Sequence, residues 1–375
     1  MTVSHGAPQS IRQPNHQVSE TERTPRVWVL AGQRAGDRAQ LIGLAQQLGW
    51  PFQVKELRYN LLNQLPNLLL GASKLSLNRG ESSELAPPWP DLILDCGRRS
   101  VPVARWIHAQ TAGRSGRVHL GRPWAPYDWF DLIVSTPQYG LPPAPNLVQL
   151  TLPFHTVSAE RLAAAGATWH QRLANLPRPW TAVLVGGNST SHVFGPDAAV
   201  RLARQINAIA NGGALLISTS RRTPPAAADA LRGAVTVPHY FHRWRENELD
   251  NPYLAFLDLA DRMVVTSDSA SMIAEACVAG KPVGLFALDG RPGIVLGLSR
   301  LAERGLPGAF DRLVRMGVFM PARDMARFQQ ALLARGMVGR LNGASKISRR
   351  PDGGEAKAVV KRIKDMMAKK PTGNS

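Results

Sequence analysis

A pattern that occurs twice restricts the fold of this chain more than any other feature: a short apolar run, a glycine turn, a helix-forming stretch, then further apolar runs. Arg26–Ala31 (RVWVLA) leads into Gly32-Gln33-Arg34-Ala35-Gly36-Asp37 and a helix to about Leu48. Phe52–Leu57, Asp91–Asp95, Arg117–Gly121 and Asp131–Ser135 read as strands, with a helix over Ser100–Ala109. A long helix over Ser158–Leu176 ends at Pro177-Arg178-Pro179, a boundary signal. The pattern then restarts with Thr181–Val185, the turn Gly186-Gly187-Asn188-Ser189-Thr190-Ser191 and a helix from Pro196. Ala214–Ser218, Ala234–Val237, Arg262–Val265 and Val283–Phe286 follow as strands. Strands alternating with helices give largely parallel sheets covered on both faces. The expected fold is therefore α/β, with two doubly wound Rossmann-like domains facing a cleft. The first spans 25–176 and the second 177–342, with a disordered tail over 1–24 and a basic, flexible tail over 343–375.

With 375 residues, the chain is long enough for two cores. No apolar run approaches the roughly 20 residues that span a bilayer, and the polar first residues lack an apolar signal core. The expectation is a cytoplasmic protein, peripheral on the inner membrane. Cys96 and Cys277 are the only cysteines; they predict buried thiols, and no metal-ligand spacing occurs, so neither a metal nor another cofactor is expected. The net charge of +18 calls for an anionic neighbour. From Arg340 to Ser375 there are ten Lys or Arg against three Asp or Glu. Within that stretch, Ala356–Ala368 can form a basic helix whose apolar side (Val359, Val360, Ile363, Met366, Met367) suits an anionic membrane surface. Aromatic residues are not interleaved with the basic ones, so nucleic acid is not an expected partner.

Several chemistries lack their motif. Neither glycine turn is G-x-G-x-x-G, no P-loop or G-x-S-x-G elbow occurs, and no Asp-x-Asp metal clamp ends a strand. Thr266–Pro282 (TSDSASMIAEACVAGKP) offers another route to a diphosphate: a strand end, a hydroxyl-rich turn and a helix N-terminus. Ser269 and Ser271 can donate to phosphate there, and Glu275 can reach a ribose diol. Gly186 and Gly187 allow close backbone approach, Asn188, Ser189 and Thr190 can donate, and Arg221 and Arg222 add charge past the next strand end. This is the way GT-B glycosyltransferases hold a nucleotide-sugar donor. On the acceptor side stand Gly32 and Gly36, with Asp37 as the candidate base or, equally, a helix N-cap. His155 and His239 are lesser candidates. Tyr59–Leu70 (YNLLNQLPNLLL) reads first as a core helix and second as a docking surface for a membrane or a lipid-linked acceptor.

Five segments together are similar to the elongated-mitochondria (ELM) fission-type family: AGQRAGDRAQ, the GGN turn, STSRRTP, NPYLAFLDLAD and VTSDSASMIAEACVAGKPV. The resemblance runs from about Arg26 to Arg340 and implies the GT-B fold. For the bacterial branch it implies sugar transfer from a nucleotide sugar to a cell-envelope or lipid-linked glycan. For plant relatives it implies a role in mitochondrial fission without catalysis. A sugar-nucleotide epimerase of the same fold is a further alternative. The donor-side segment is also similar to that of the peptidoglycan N-acetylglucosaminyltransferase, which places ribose recognition at Glu275 and diphosphate contacts at Ser269 and Ser271. The chain departs from the family at Asp37, where many members carry His.

Overall fold

The computed structural model describes residues 24–189, 192–290, 293–341 and 353–370. Residues 1–23 of the tail expected over 1–24, the stretches 342–352 and 371–375, and Thr190 and Ser191 of the hydroxyl-rich turn lie outside them. The first half contains β1 (Val27–Ala31), α1 (Ala35–Leu48), β2 (Phe52–Glu56), α2 (Asn67–Leu70), β3 (Leu92–Cys96), α3 (Val101–Gln110), β4 (Gly116–Leu120), β5 (Leu132–Ser135) and β6 (Leu147–Gln149). Next come α4 (Ala159–Leu173), β7 (Trp180–Val185), α5 (Pro196–Ile209), β8 (Ala214–Thr219), α6 (Pro225–Ala234), β9 (His239–His242), α7 (Tyr253–Leu259), β10 (Arg262–Thr266), α8 (Ala270–Val278) and β11 (Val283–Phe286). Helices α9 (Ile294–Gly305), α10 (Pro307–Arg315) and α11 (Met325–Ala334), strand β12 (Gly339–Arg340) and α12 (Gly354–Ala368) complete the described chain.

The strands form two six-stranded parallel sheets, ordered β2-β1-β3-β4-β5-β6 and β12-β11-β10-β7-β8-β9. The central strands are apolar throughout because helices cover both faces; β1, β7 and β8 are fully buried. In each sheet the winding reverses beside the first strand, between β1 and β3 and between β7 and β10. Ligands of doubly wound sheets enter at such switch points, beyond the carboxyl ends of the strands. The turns there are Gly32–Asp37 and Cys96–Gly97 in one sheet, Gly186–Ser189 and Ser267–Ser271 in the other. Two α/β units of this winding, with their switch points turned toward each other, are the expected GT-B-type architecture.

Five details differ from the sequence reading. The strand expected at Ala234–Val237 lies at His239–His242, because α6 runs on through Ala234. The boundary falls before α4, earlier than Pro177: Leu162 and Leu173 of α4 bury in the core of the second sheet with Phe256 and Leu257. Helix α10 belongs to the first unit, for Phe310 and Val314 pack with Val101, Tyr127, Phe130 and Ile133. The stretch expected as a flexible tail over 343–375 contains the ordered α12, and its apolar side is not free for a membrane. Val359, Ile363 and Met367 bury beside Leu44, Leu92 and Val118. Glu355 fixes the start of this helix by accepting from the Thr151 N–H (2.6 Å) and hydroxyl (2.7 Å). Finally, Tyr59–Leu70 is no core helix: a 3-10 turn (Leu61–Gln64) precedes the four-residue α2, and most of its leucines point outward.

Candidate functional site

At the switch point of the second sheet, the glycine pair serves packing. A side chain at Gly186 would sit 2.3 Å from Asp268 Oδ1, and one at Gly187 would sit 2.0 Å from the Arg222 carbonyl oxygen. The amides expected to cradle a phosphate are taken. Gly186 N–H donates to Thr266 Oγ1 (2.7 Å) and Gly187 N–H to Asp268 Oδ2 (3.1 Å). Asn188 N–H donates to the Arg222 carbonyl and Ser189 N–H to the His192 carbonyl, each at 3.0 Å. The Asn188 side-chain oxygen accepts from Phe194 N–H at 2.9 Å. Asp268 holds this loop together: it is buried, accepts from the Thr266 hydroxyl (2.7 Å) and pairs with Arg222 at 2.7 Å. A buried carboxylate with this many donors has its charge satisfied internally. The backbone amides expected to form a cradle at Gly186–Ser189 are thus taken up by the protein's own Thr266, Asp268, Arg222 and His192.

The start of α8 is different. Its N-cap, Ser269, makes no side-chain capping bond, so the first-turn amides of the helix lack that partner. Ser271 on this turn faces the other unit, where a side chain built on Gly36 would meet Ser271 Oγ at 3.2 Å. Arg222 is about one-third exposed beside Asp268, while Arg221 is exposed. One turn further along α8, Glu275 accepts a short hydrogen bond from the Tyr253 hydroxyl, tying the helix to the NPY segment. Burial pushes the Glu275 carboxyl up, against the lowering effect of Tyr253 and Arg161.

Across the cleft, Asp37 lies in the first turn of α1 and is not its N-cap; Arg34 holds that position. Gly97, at φ +76°, brings the end of β3 under it, so close that a Cβ added there would lie 3.6 Å from Asp37 Oδ2. Burial pushes the neighbouring Cys96 thiol up, with the Asp37 carboxylate adding to the rise. Burial raises the Asp37 pKa, opposed by Arg34, Arg323 and His119. Tyr59 packs over Gly32, its ring 3.4 Å from where a Cβ would stand, and burial pushes its phenol up. Beneath them, the fully buried Asp95 accepts from His119 Nδ1 (2.9 Å) and Ser100 Oγ (2.8 Å).

The buried Arg323 Nε has no hydrogen-bond partner among the described residues, and its charge opposes the burial-driven rise at Asp37 and Tyr139 and adds to the burial-driven fall at His192. Arg122, whose pKa burial lowers, lies near Arg323, Arg34 and Tyr139 and donates to the Pro321 carbonyl. The structure therefore gathers Gly32, Gly36, Asp37, Ser269, Ser271 and Arg222 around one cleft. His239 begins β9 and so lies at the opposite end of the sheet, its Nδ1 2.8 Å from the Val237 carbonyl. His155 is a packing residue whose backbone presses on Gly43. Sequence reasoning missed Arg122, Arg323, Tyr139 and the role of Asp268. Only Asp268 carried a local signal, as the acid inside TSDS at a strand end.

Comparison with known proteins gives a family, two relatives and a set of folds. The family model described as Mitochondrial fission ELM1 matches residues 35–336. An uncharacterized protein of Rickettsia prowazekii is 26% identical over 295 residues, covering 69% of this chain and 82% of that one. Mitochondrial fission protein ELM1 of Arabidopsis thaliana is 26% identical over 279 residues, covering 66% of this chain and 65% of its own, so the chain spans somewhat under two thirds of the plant relative. Among solved structures, the S. aureus MnaA–UDP co-structure has a TM-score of 0.47 at 12% identity, covering 94% of this chain and 100% of that one. MurG of Acinetobacter baumannii has a TM-score of 0.39 at 14% identity, covering 91% and 100%. Neither carries chemistry to this chain.

Proposed function

The chain belongs to the mitochondrial fission ELM1 family, and from that premise we propose that its cleft binds a nucleotide sugar and transfers the sugar, without a metal, to a hydroxyl of a cell-envelope or lipid-linked glycan. One observation carries the reading: the uncapped first turn of α8 stands at a switch point, against the Gly36 turn of the other unit, with Arg222 paired to Asp268 just before it. A helix N-terminus without a side-chain cap and with a guanidinium group beside it suits a diphosphate. Asn188 and Ser189 serve this site as structural support for the loop, since their amides are already bonded. Glu275, oriented by Tyr253, is positioned to accept from a ribose hydroxyl.

In the transfer, the bond from the anomeric carbon to the diphosphate oxygen breaks and its electron pair stays on the diphosphate. The α8 amides and the arginines stabilise that charge. The acceptor oxygen bonds the anomeric carbon, and its proton passes to Asp37. Burial raises the Asp37 pKa, which makes its ionised form the stronger base.

One observation favours a second reading. The amides of Gly186–Ser189 already bond within the protein, Gly187 to Asp268 and the rest to Thr266, Arg222 and His192, an arrangement compatible with a fission-type adaptor that performs no chemistry. A panel of UDP, GDP, ADP, CMP and dTDP sugars separates the readings by thermal shift. At a hundredfold excess over Kd, a true ligand stabilises by about 2.7 kcal/mol. We expect one nucleotide class to raise Tm, and Arg323→Ala and Glu275→Ala to abolish the rise. A flat response across the panel overturns the reading. Binding with no turnover favours the adaptor, and turnover of the donor alone favours an epimerase.

A further inference from the structure

Helix α9 turns its polar side inward and its apolar side outward. Ser299 is 4% exposed and accepts from the Ala322 N–H at 3.4 Å. Arg300 Nε donates to Asp324 at 3.0 Å, and Glu303 accepts from Arg327 at 3.1 Å. On the solvent side, Val295, Leu298 and Leu301 are 69%, 61% and 67% exposed. Their spacing of three places them on one stripe of the helix. Leu306, also 69% exposed, continues the apolar surface into α10. A groove of about 830 Å³ lies between α10 and α2, lined by Leu68, Tyr127, Arg312, Arg315, Met316 and Val318. On the α2 side, Leu61 and Leu69 are 82% and 75% exposed. Isolated surface leucines need no explanation, but apolar residues on three neighbouring elements mark a docking face.

The charge of this face selects its occupant. Arg304 and Arg312 are exposed among the leucines; Arg315 pairs with Asp311 at 3.9 Å, Asp128 lines the groove, and Glu303 is held inward by Arg327, which leaves the balance of the face basic. Arginine stems can lie along an apolar surface while the guanidinium reaches a phosphate, and a chain of net charge +18 is drawn to anionic lipid. We propose that α9, α10 and the α2 turn form the face with which this protein lies on an anionic phospholipid bilayer. The inference stands independently of the nucleotide-sugar reading.

The test is flotation of the full chain with vesicles of phosphatidylcholine alone or of phosphatidylcholine and phosphatidylglycerol in equal amounts. The wild type should float with the mixed vesicles and not with the neutral ones. A double variant, Leu298→Ser with Leu301→Ser, keeps the charge and replaces only exposed side chains, so its Tm should match the wild type. Its vesicle binding should fall about tenfold or more, the loss expected when two apolar anchors are removed. Arg304→Ala with Arg312→Ala should weaken the preference for anionic vesicles. Three results would each overturn the proposal: a wild type that does not float, a serine variant that floats equally well, or a dimer in sedimentation that the serine variant dissolves. The second would assign binding to charge elsewhere on the chain, and the third would make the face an interface between two copies.

Discussion

At the residue scale, the glycine pair at 186 and 187 shows how one sequence signal admits two physical causes. Glycine is needed there because the Asp268 carboxylate and the Arg222 backbone come within 2.0 to 2.3 Å of any added Cβ. The same residues would be needed for a phosphate to approach. The sequence expectation put a phosphate beside these glycines; the neighbour the structure shows is Asp268, 81 residues beyond Gly187 in sequence and adjacent only in the fold. Glu275 supplies a prediction of definite sign. Its folded pKa lies above the ordinary carboxylate value of 4.5 because of burial. The folded state then holds the proton longer than the unfolded chain does, so stability falls as pH rises from 4.5 through the folded pKa. Glu275→Gln should therefore melt at a higher temperature than the wild type at neutral pH, and the gap should close as pH falls below 4.5. A gap that widens on acidification would show that the Tyr253 hydrogen bond outweighs desolvation.

At the scale of elements, the central strands were the most legible, and of the edge strands only β2 was expected where it lies. Strands β1, β3, β7, β8 and β10 read as continuous apolar runs because both faces are covered. Edge strands did not read this way. Strand β9 carries His, Tyr, Phe and His and is mostly half-buried, and β6 and β12 have only three and two residues. Helix α12 was legible as an amphipathic helix, but its periodicity could not say whether a membrane or the first core would cover it. The core does: Ile363 is fully buried there. Ile363→Ala should cost about 2–5 kcal/mol, the usual range for emptying a packed aliphatic site. Urea unfolding measures it, and a loss within a few tenths of a kcal/mol would mean that α12 leaves the first core in solution. Helix α9 has the same amphipathic pattern with the opposite outcome, since ion pairs to α11 hold its polar side inward.

At the scale of the whole molecule, the two units are interlaced, because α4 leaves the first half for the second core while α10 and α12 return to the first. Gly317 anchors this return. It has φ +70°, and a Cβ there would lie 2.2 Å from the Ala125 carbonyl carbon. Gly317→Ala should lower stability by about 1–3 kcal/mol through overpacking, with left-handed strain added. Calorimetry should show a lower Tm for the whole molecule; an unchanged Tm would mean that α10 contributes nothing to joining the units. The sequence by itself determined the two α/β sheets, the alternation of their central strands with helices and the turns at their switch points, since each rests on local periodicity and turn chemistry. Only the tertiary structure decided which amides were already occupied, which side of each amphipathic helix was covered, and that Arg122 reaches the Pro321 carbonyl 199 residues further on. Those outcomes depend on contacts between segments far apart in the chain, and local pattern carries no information about which distant group arrives.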